Sequence, residues 1–274
     1  MAKRLKLGTV VPLAGGPRDE LRKVSELGLP VCQVGCWNPK LLTEKNADAL
    51  REASEEYGVK VASFWAGYSG RLVWDLVEGP TTIGVVPPEQ REQRTGELQR
   101  GAEFAGWAGI PLVVTHAGFI PESPGDPLYE GTVEALRAVA ERCKERGLTF
   151  CLETGQETPV TLLRCLRDVG TGNMGVNLDP ANLLMYGKGN PVDAVDVLGA
   201  HIKTVHAKDG EYPTDPYKLG VEKPLGEGRV DFPRLVAKLK GIGYGGPLII
   251  EREISGEQQI RDIVRAKEML EALC

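Results

Sequence analysis

The stretch HIKTVHAKDG, residues 201–210, decides how this chain is read, because it holds two of the three histidines in the sequence and has the pattern of a strand. The two-residue period of a strand places Ile202, Thr204 and His206 on one face, with His206 at the carboxyl end of that face. His201, at the start, reads as an ordinary surface residue. A lone histidine at a strand end is more often a satisfied core or loop residue than a ligand, so the weight of His206 depends on partners at matching positions elsewhere.

Three such partners are present. In LTFCLE (148–153) the parity groups Thr149, Cys151 and Glu153, in MGVNLD (174–179) Gly175, Asn177 and Asp179, and in PLIIE (247–251) Pro247, Ile249 and Glu251. Four consecutive strands thus end in Glu153, Asp179, His206 and Glu251, always on the face that closes the strand. One such charge would be a solvated strand end. Four in succession, mixing carboxylates with an imidazole, form the donor set of one divalent metal ion such as Mn, Co, Mg or Zn.

Outward from these strands, the chain alternates strand and helix eight times. The first half reads as strands at 5–10, 31–35, 59–64 and 111–115, with helices at 17–27, 39–57, 88–107 and 128–146. An irregular segment spans 66–87. The second half adds helices from Thr158–Pro159 to Val169, a helix pair broken near 187–189, and a helix that Asp231 caps. A long polar loop covers 207–230, and Ser255 with Gln258 has the capping-box pattern for the last helix. Eight units of about 30 residues predict an α/β fold, a (β/α)8 TIM barrel forming a single domain over 1–274, with its site at the carboxyl ends of the strands. An open doubly wound sheet would need a G-x-G-x-x-G turn after an early strand, and Gly15–Gly16 is too short for one.

Composition narrows the function classes. The 274 residues are 42% hydrophobic and 26% charged, with 33 basic and 38 acidic residues and a net charge of −5. No basic run follows a helix, which argues against nucleic acid or an anionic membrane as partner and favours a small polar substrate. The start MAKRLKLGTVV is basic, but Lys6 and Gly8 break its apolar run, so a cytoplasmic location is expected. The six cysteines form no C-x-x-C pair and read as reduced thiols; Cys32 and Cys36 lack a second pair to complete a metal site. The oligomeric state is unknown at this level.

The segments LETGQETP, GVNLDPANLL, HAKD, PLGEGRVDF and IIERE resemble the sugar phosphate isomerase/epimerase family of xylose isomerase-like TIM barrels. That group includes ketose 3-epimerases, inosose dehydratases and, more distantly, endonuclease IV. The resemblance is dense from about residue 110 to 254. It implies that Glu153, Asp179, His206 and Glu251 hold one divalent metal, and that the two glutamates serve catalysis in an isomerase or epimerase of a sugar, keto sugar or sugar phosphate, acting through a metal-stabilised enediolate. Two positions depart from the ketose 3-epimerase pattern: Asn182 stands where a histidine contacts substrate, and Tyr212 where an arginine is expected. A multi-zinc nuclease site needs more histidines than three.

The chemistry also follows from the residues. A divalent ion can hold a sugar's carbonyl and hydroxyl oxygens while Glu153 and Glu251, reaching from opposite sides of the barrel mouth, remove and return a carbon-bound proton. A lyase dehydrating an inosose-like cyclic ketone would use the same intermediate and lose water. A non-catalytic carbohydrate-binding barrel is the third reading. Further substrate contacts are expected from His116 at the end of strand four, from Asn182, and from Lys208, whose alternative is a solvated loop lysine. Trp37, Trp65 and Trp74 either stack on sugar rings or anchor loops. The 66–87 segment is long enough to act as a lid.

Overall fold

The eight strands close on themselves. In the computed structural model, which describes residues 4–274, the barrel consists of β1 (Leu7–Pro12), β2 (Val31–Cys36), β3 (Lys60–Ala66), β4 (Leu112–Thr115), β5 (Thr149–Glu153), β6 (Met174–Leu178), β7 (Ile202–Ala207) and β8 (Leu248–Ile250). All neighbours are parallel, and β1 pairs with both β2 and β8, so no strand edge stays open. The basic start at 1–3 lies outside the described residues. Among those described, no helix is long and apolar enough to cross a membrane, and the six cysteines are free thiols.

Around the strands run α1 (Pro17–Glu26), α2 (Glu44–Tyr57), α3 (Gly79–Thr82), α4 (Pro88–Ala108), α5 (Pro127–Glu145), α6 (Pro159–Val169), α7 (Pro180–Met185), α8 (Pro191–Leu198), α9 (Phe232–Gly241) and α10 (Glu257–Leu273). Proline opens most of them, where its missing N–H and fixed φ cost nothing. Asp126, Thr158 and Asp231 cap α5, α6 and α9 with side-chain oxygens, as their sequence positions predict. Apolar side chains from the outer strand faces and the helices, such as Phe64, Phe104, Leu136, Phe150 and Leu235, make the main core. Inside the barrel lie an apolar layer of Val10, Val31, Ala62 and Ile249 and a second of Trp65, Val114 and Cys151. Higher up, the interior turns polar.

Two irregularities matter for the site. The β2–β3 register slips between Cys32 and Gln33, so that Cys32 faces Val61 and Gln33 faces Ser63. The extra residue, Ala62, turns both Ser63 and Trp65 into the barrel, since a bulge re-aims every side chain after it. The β6–β7 register slips likewise, with Val176 opposite Ile202 and Asn177 opposite Thr204. Ile202 accordingly packs in the outer core, and the face shared by Ile202, Thr204 and His206 in simple alternation begins only at Thr204.

Other expectations are corrected. The last helix begins at Glu257 with Gly256 as N-cap and no side-chain cap; Ser255 lies one residue too early, and Gln258 Nε2 donates to Asp262 instead. The helix expected from Pro39 is a short 3-10 turn followed by α2, which Thr43 caps. The 207–230 loop contains a two-residue ladder, 209–210 against 222–223, organised by buried Asp209, whose carboxylate accepts from the backbone N–H of Gly226, Gly228 and Val230. The 66–87 segment includes α3 and is tied down by Arg94. This fully buried guanidinium donates to the carbonyls of Ser69, Thr82, Gly84 and Arg71 and lies over the Tyr68 ring. Gly84 sits in this turn at φ 75°, where a Cβ would fall 1.8 Å from the Ala117 carbonyl oxygen. In this structure the segment is a fastened wall of the mouth.

Candidate metal centre and cavity

The carboxyl ends of β5, β6, β7 and β8 bring Glu153, Asp179, His206 and Glu251 together. One donor atom from each lies within 4.8 Å of all the others. His206 Nδ1 is 3.4 Å from Glu153 Oε1, 3.4 Å from Asp179 Oδ2 and 3.1 Å from Glu251 Oε2. Among the buried polar atoms, His206 Nδ1, Asp179 Oδ2 and Glu251 Oε2 have no hydrogen-bond partner. Buried polar atoms are normally satisfied, so orphans gathered at one point are the kind of donor set that can hold a cation.

The surrounding residues orient these donors. Gln33 Nε2 donates to Ser63 Oγ at 2.9 Å, which turns Gln33 Oε1 toward His206 Nε2 at 2.8 Å. Gln33 Oε1 calls for a hydrogen on Nε2, which Asn177 Nδ2 also approaches at 3.1 Å, and in that tautomer the Nδ1 lone pair faces the carboxylates, as a metal ligand needs. Asp179 Oδ1 caps α7 through Asn182 N–H at 2.8 Å, leaving Oδ2 for the cluster. Thr154 Oγ1 bridges the Asp179 backbone in both directions and locks the ends of β5 and β6 together. Glu153 accepts from Trp65 Nε1, Asn177 Nδ2 and Asn182 Nδ2, and His116 Nε2 lies 3.4 Å away.

Electrostatics matches this arrangement. Burial would push the Glu153 carboxyl up, but His116 and His206 outweigh burial and hold it down at about 2. Burial is likewise outweighed at Glu251 by His206 and Lys208, which keep it well below the usual carboxylate range. Burial dominates at Asp179 and raises it. His206 is raised well above its ordinary value against burial, by Glu251 and Glu153. Without a metal, the cluster thus draws a proton onto the imidazole, and a divalent ion would compete for the same place. Three carboxylates and one neutral imidazole suit a hard or borderline divalent cation.

A cavity of about 510 Å³ opens above the cluster. Glu153 and Glu251 reach its floor, whereas Asp179 and His206 are fully buried beneath it. Trp37, Trp65, His116 and Asn182 line it, together with Trp74. Lys208 does not line it, and it is no solvated loop lysine either: it is fully buried, 2.7 Å from Glu253, 3.3 Å from Glu251 and 3.3 Å from Asn182 Oδ1. Tyr212 is exposed away from the site and donates to the Gly187 carbonyl. Glu153 and Glu251 stand three strands apart around the ring, so they flank the site and do not oppose each other across it. Sequence reasoning missed Gln33, although strand parity from Val31 would have pointed it inward. It also missed Arg252 and Glu253, which follow Glu251 and face the cavity.

The whole chain superimposes on the xylose isomerase domain protein of Planctomyces limnophilus with a TM-score of 0.92 and 33% identity, covering 100% of this chain and 98% of that one. A D-tagatose 3-epimerase-like protein follows at a TM-score of 0.77 and 25% identity, over 98% and 97% of the two chains. An uncharacterized protein of Methanocaldococcus jannaschii is 28% identical over 267 residues, 92% of this chain and 83% of that protein. With residues 21–273 matching the family as a whole, the chain belongs to the xylose isomerase-like TIM barrels.

Proposed function

We propose that this protein is a divalent-metal-dependent isomerase or epimerase of a keto sugar. The observation that carries this reading is the set of unpartnered donors on Asp179, His206 and Glu251, gathered with Glu153 at the floor of a cavity that fits a small molecule. Glu153, Asp179, His206 and Glu251 would hold the ion, which when bound supplies positive charge against a substrate oxyanion and acidifies the neighbouring carbon. The similarity to a D-tagatose 3-epimerase-like protein supports this reaction class.

The chain's own residues then divide the work. Glu153 is held by three donated hydrogen bonds that engage its oxygens, so it is the less free proton acceptor of the pair. Glu251 keeps Oε2 without a hydrogen bond, is partly open to the cavity, and is our choice for the group that removes the carbon-bound proton. Lys208 behind it balances charge while Glu251 is ionised. In an isomerisation Glu251 itself returns the proton that it took; in an epimerisation Glu153, after taking a proton from solvent, delivers it to the other face, and Glu251 releases its own proton to solvent.

The test is solvent exchange. Keto sugars incubated with the metal-loaded protein in deuterated water should take up deuterium at the carbon beside the carbonyl. A product of unchanged mass except for deuterium supports the isomerase or epimerase reading, loss of water would show a dehydratase, and turnover without deuterium would overturn proton transfer.

A further inference from the structure

Three carboxylates converge beside His206, and the hydrogen bonds behind them decide how many oxygens each can offer to an ion. An ionised carboxylate has about four lone-pair sites, two on each oxygen. At Asp179, Oδ1 accepts from the Asn182 N–H at 2.8 Å, so Oδ2 is the oxygen that faces His206 Nδ1, at 3.4 Å. At Glu153 the restraint is tighter. Trp65 Nε1 and Asn177 Nδ2 both donate to Oε2, the second at 3.3 Å, and Asn182 Nδ2 donates to Oε1 at 3.2 Å. The two donors use up the lone pairs of Oε2, whereas Oε1, 3.4 Å from both His206 Nδ1 and His116 Nε2, keeps one that faces the cluster.

Of the two donors on Oε2, only Trp65 is committed to Glu153. Asn177 Nδ2 also stands 3.1 Å from His206 Nε2, whereas an indole has a single N–H and accepts nothing. The ring is held in place: it is 8% exposed, its centroid lies 4.6 Å from that of Trp37 and 5.7 Å from that of His116, and the extra residue at Ala62 fixes its inward turn. Without the indole N–H, Oε2 would be free to turn toward the cluster beside Oε1. That matters for the choice of ion. Ca²⁺ takes about six to eight oxygens and accepts two from one carboxylate, whereas smaller divalent ions favour a near-octahedral set of about six.

We propose that Trp65 is a positioning residue that restricts Glu153 to one-oxygen ligation, so that the site prefers a compact six-coordinate ion such as Mn²⁺ or Mg²⁺ over Ca²⁺ and leaves coordination places to the substrate. This rests on the metal-binding part of the reading above and not on the reaction. The probe is Mn²⁺, with Ca²⁺ as competitor, on the parent protein, on Trp65→Phe, and on a protein with 3-benzothienylalanine in place of Trp65, which keeps the bicyclic shape and lacks the N–H. Broadening of the Mn²⁺ electron resonance in ¹⁷O-enriched water counts the waters on the ion, and competition titration gives the two affinities. Both replacements should show about one water fewer than the parent and a ratio of Mn²⁺ to Ca²⁺ affinity about tenfold lower. An unchanged water count in the benzothienylalanine protein would overturn the proposal even if both affinities fell, since the bond would then only satisfy a buried indole. Deuterium uptake from keto sugars is read on the same parent protein. The expected water counts without uptake would support this proposal and sink the isomerase reading, uptake with unchanged water counts would do the reverse, and a parent that binds no Mn²⁺ would overturn both.

Discussion

The two sides of the barrel mouth are built on different physical terms. On the β5–β8 side, Glu153, Asp179, His206, Lys208 and Glu251 are charged or polar and nearly all buried, and hydrogen bonds fix their positions. On the β2–β3 side, Trp37, Trp65 and Trp74 offer rings whose exposure increases toward the rim. Buried charge is tolerable only where every atom has a partner or a ligand to meet, so the first side is specified atom by atom. The second side needs only shape and area. The Trp65 hydrogen bond to Glu153 joins them.

The largest effect is expected from Glu251→Gln, which keeps the shape of the polar side but removes a proton acceptor. Turnover and deuterium uptake should fall by about 10² to 10⁴. Elemental analysis on the same preparations separates base from ligand. A loss of activity that merely tracked loss of metal would leave Glu251 as a ligand alone, and full exchange in a Glu153→Gln, Glu251→Gln double variant would place the base elsewhere.

The aromatic side has its own keystone. Arg94→Met should cost at least about 3 kcal/mol in chemical denaturation, because it strips buried carbonyls of their donor and each unsatisfied group costs about 1–3 kcal/mol. Tryptophan fluorescence should change while metal content holds if the two sides are independent. Metal loss in a folded Arg94→Met protein would break the comparison. A smaller change is expected from Gln33→Leu, which removes the partner that sets the His206 tautomer. Metal affinity, measured by competition with a chelator, should drop by about 10- to 100-fold. An unchanged affinity would mean that Asn177 and the carboxylates alone orient the ring.

How much of this was legible in the sequence follows the same division. The barrel and the meeting of Glu153, Asp179, His206 and Glu251 at the strand ends were readable because alternation and helix punctuation repeat eight times, and a residue at a strand end has a fixed place in that pattern. The inward turn of Trp65 was not, since it depends on one extra residue at Ala62 that leaves no mark in the composition. Arg94 was hidden for a different reason: in QREQRTGELQR it is one charge among many on a helix, and only the fold shows that it is buried. Lys208 read as either a substrate contact or a solvated lysine because Glu253, its nearest carboxylate, is 45 residues away in sequence.

The most local test lies four residues beyond Glu153. Glu153 and Glu157 are both buried, yet Glu153 is held at about 2 by histidines, while burial pushes Glu157 up to about 8, with Lys188 offsetting it only in part. Glu157 Oε1 has no hydrogen-bond partner. The folded protein therefore keeps a proton on Glu157 that the unfolded chain releases near pH 4.5. Below that value both states hold the proton and its contribution to stability is complete. As pH rises from about 4.5 to 8 the folded state binds more protons than the unfolded one, so stability falls, by about 1.4 kcal/mol per pH unit at most, and above 8 the slope disappears. Glu157→Gln cannot ionise and should lack this slope. The variant should gain on the parent steadily between pH 5 and 8 in urea denaturation, then run parallel to it. A difference that stays constant across that range would mean Glu157 ionises normally in the fold, and burial without a partner would then not be what distinguishes it from Glu153.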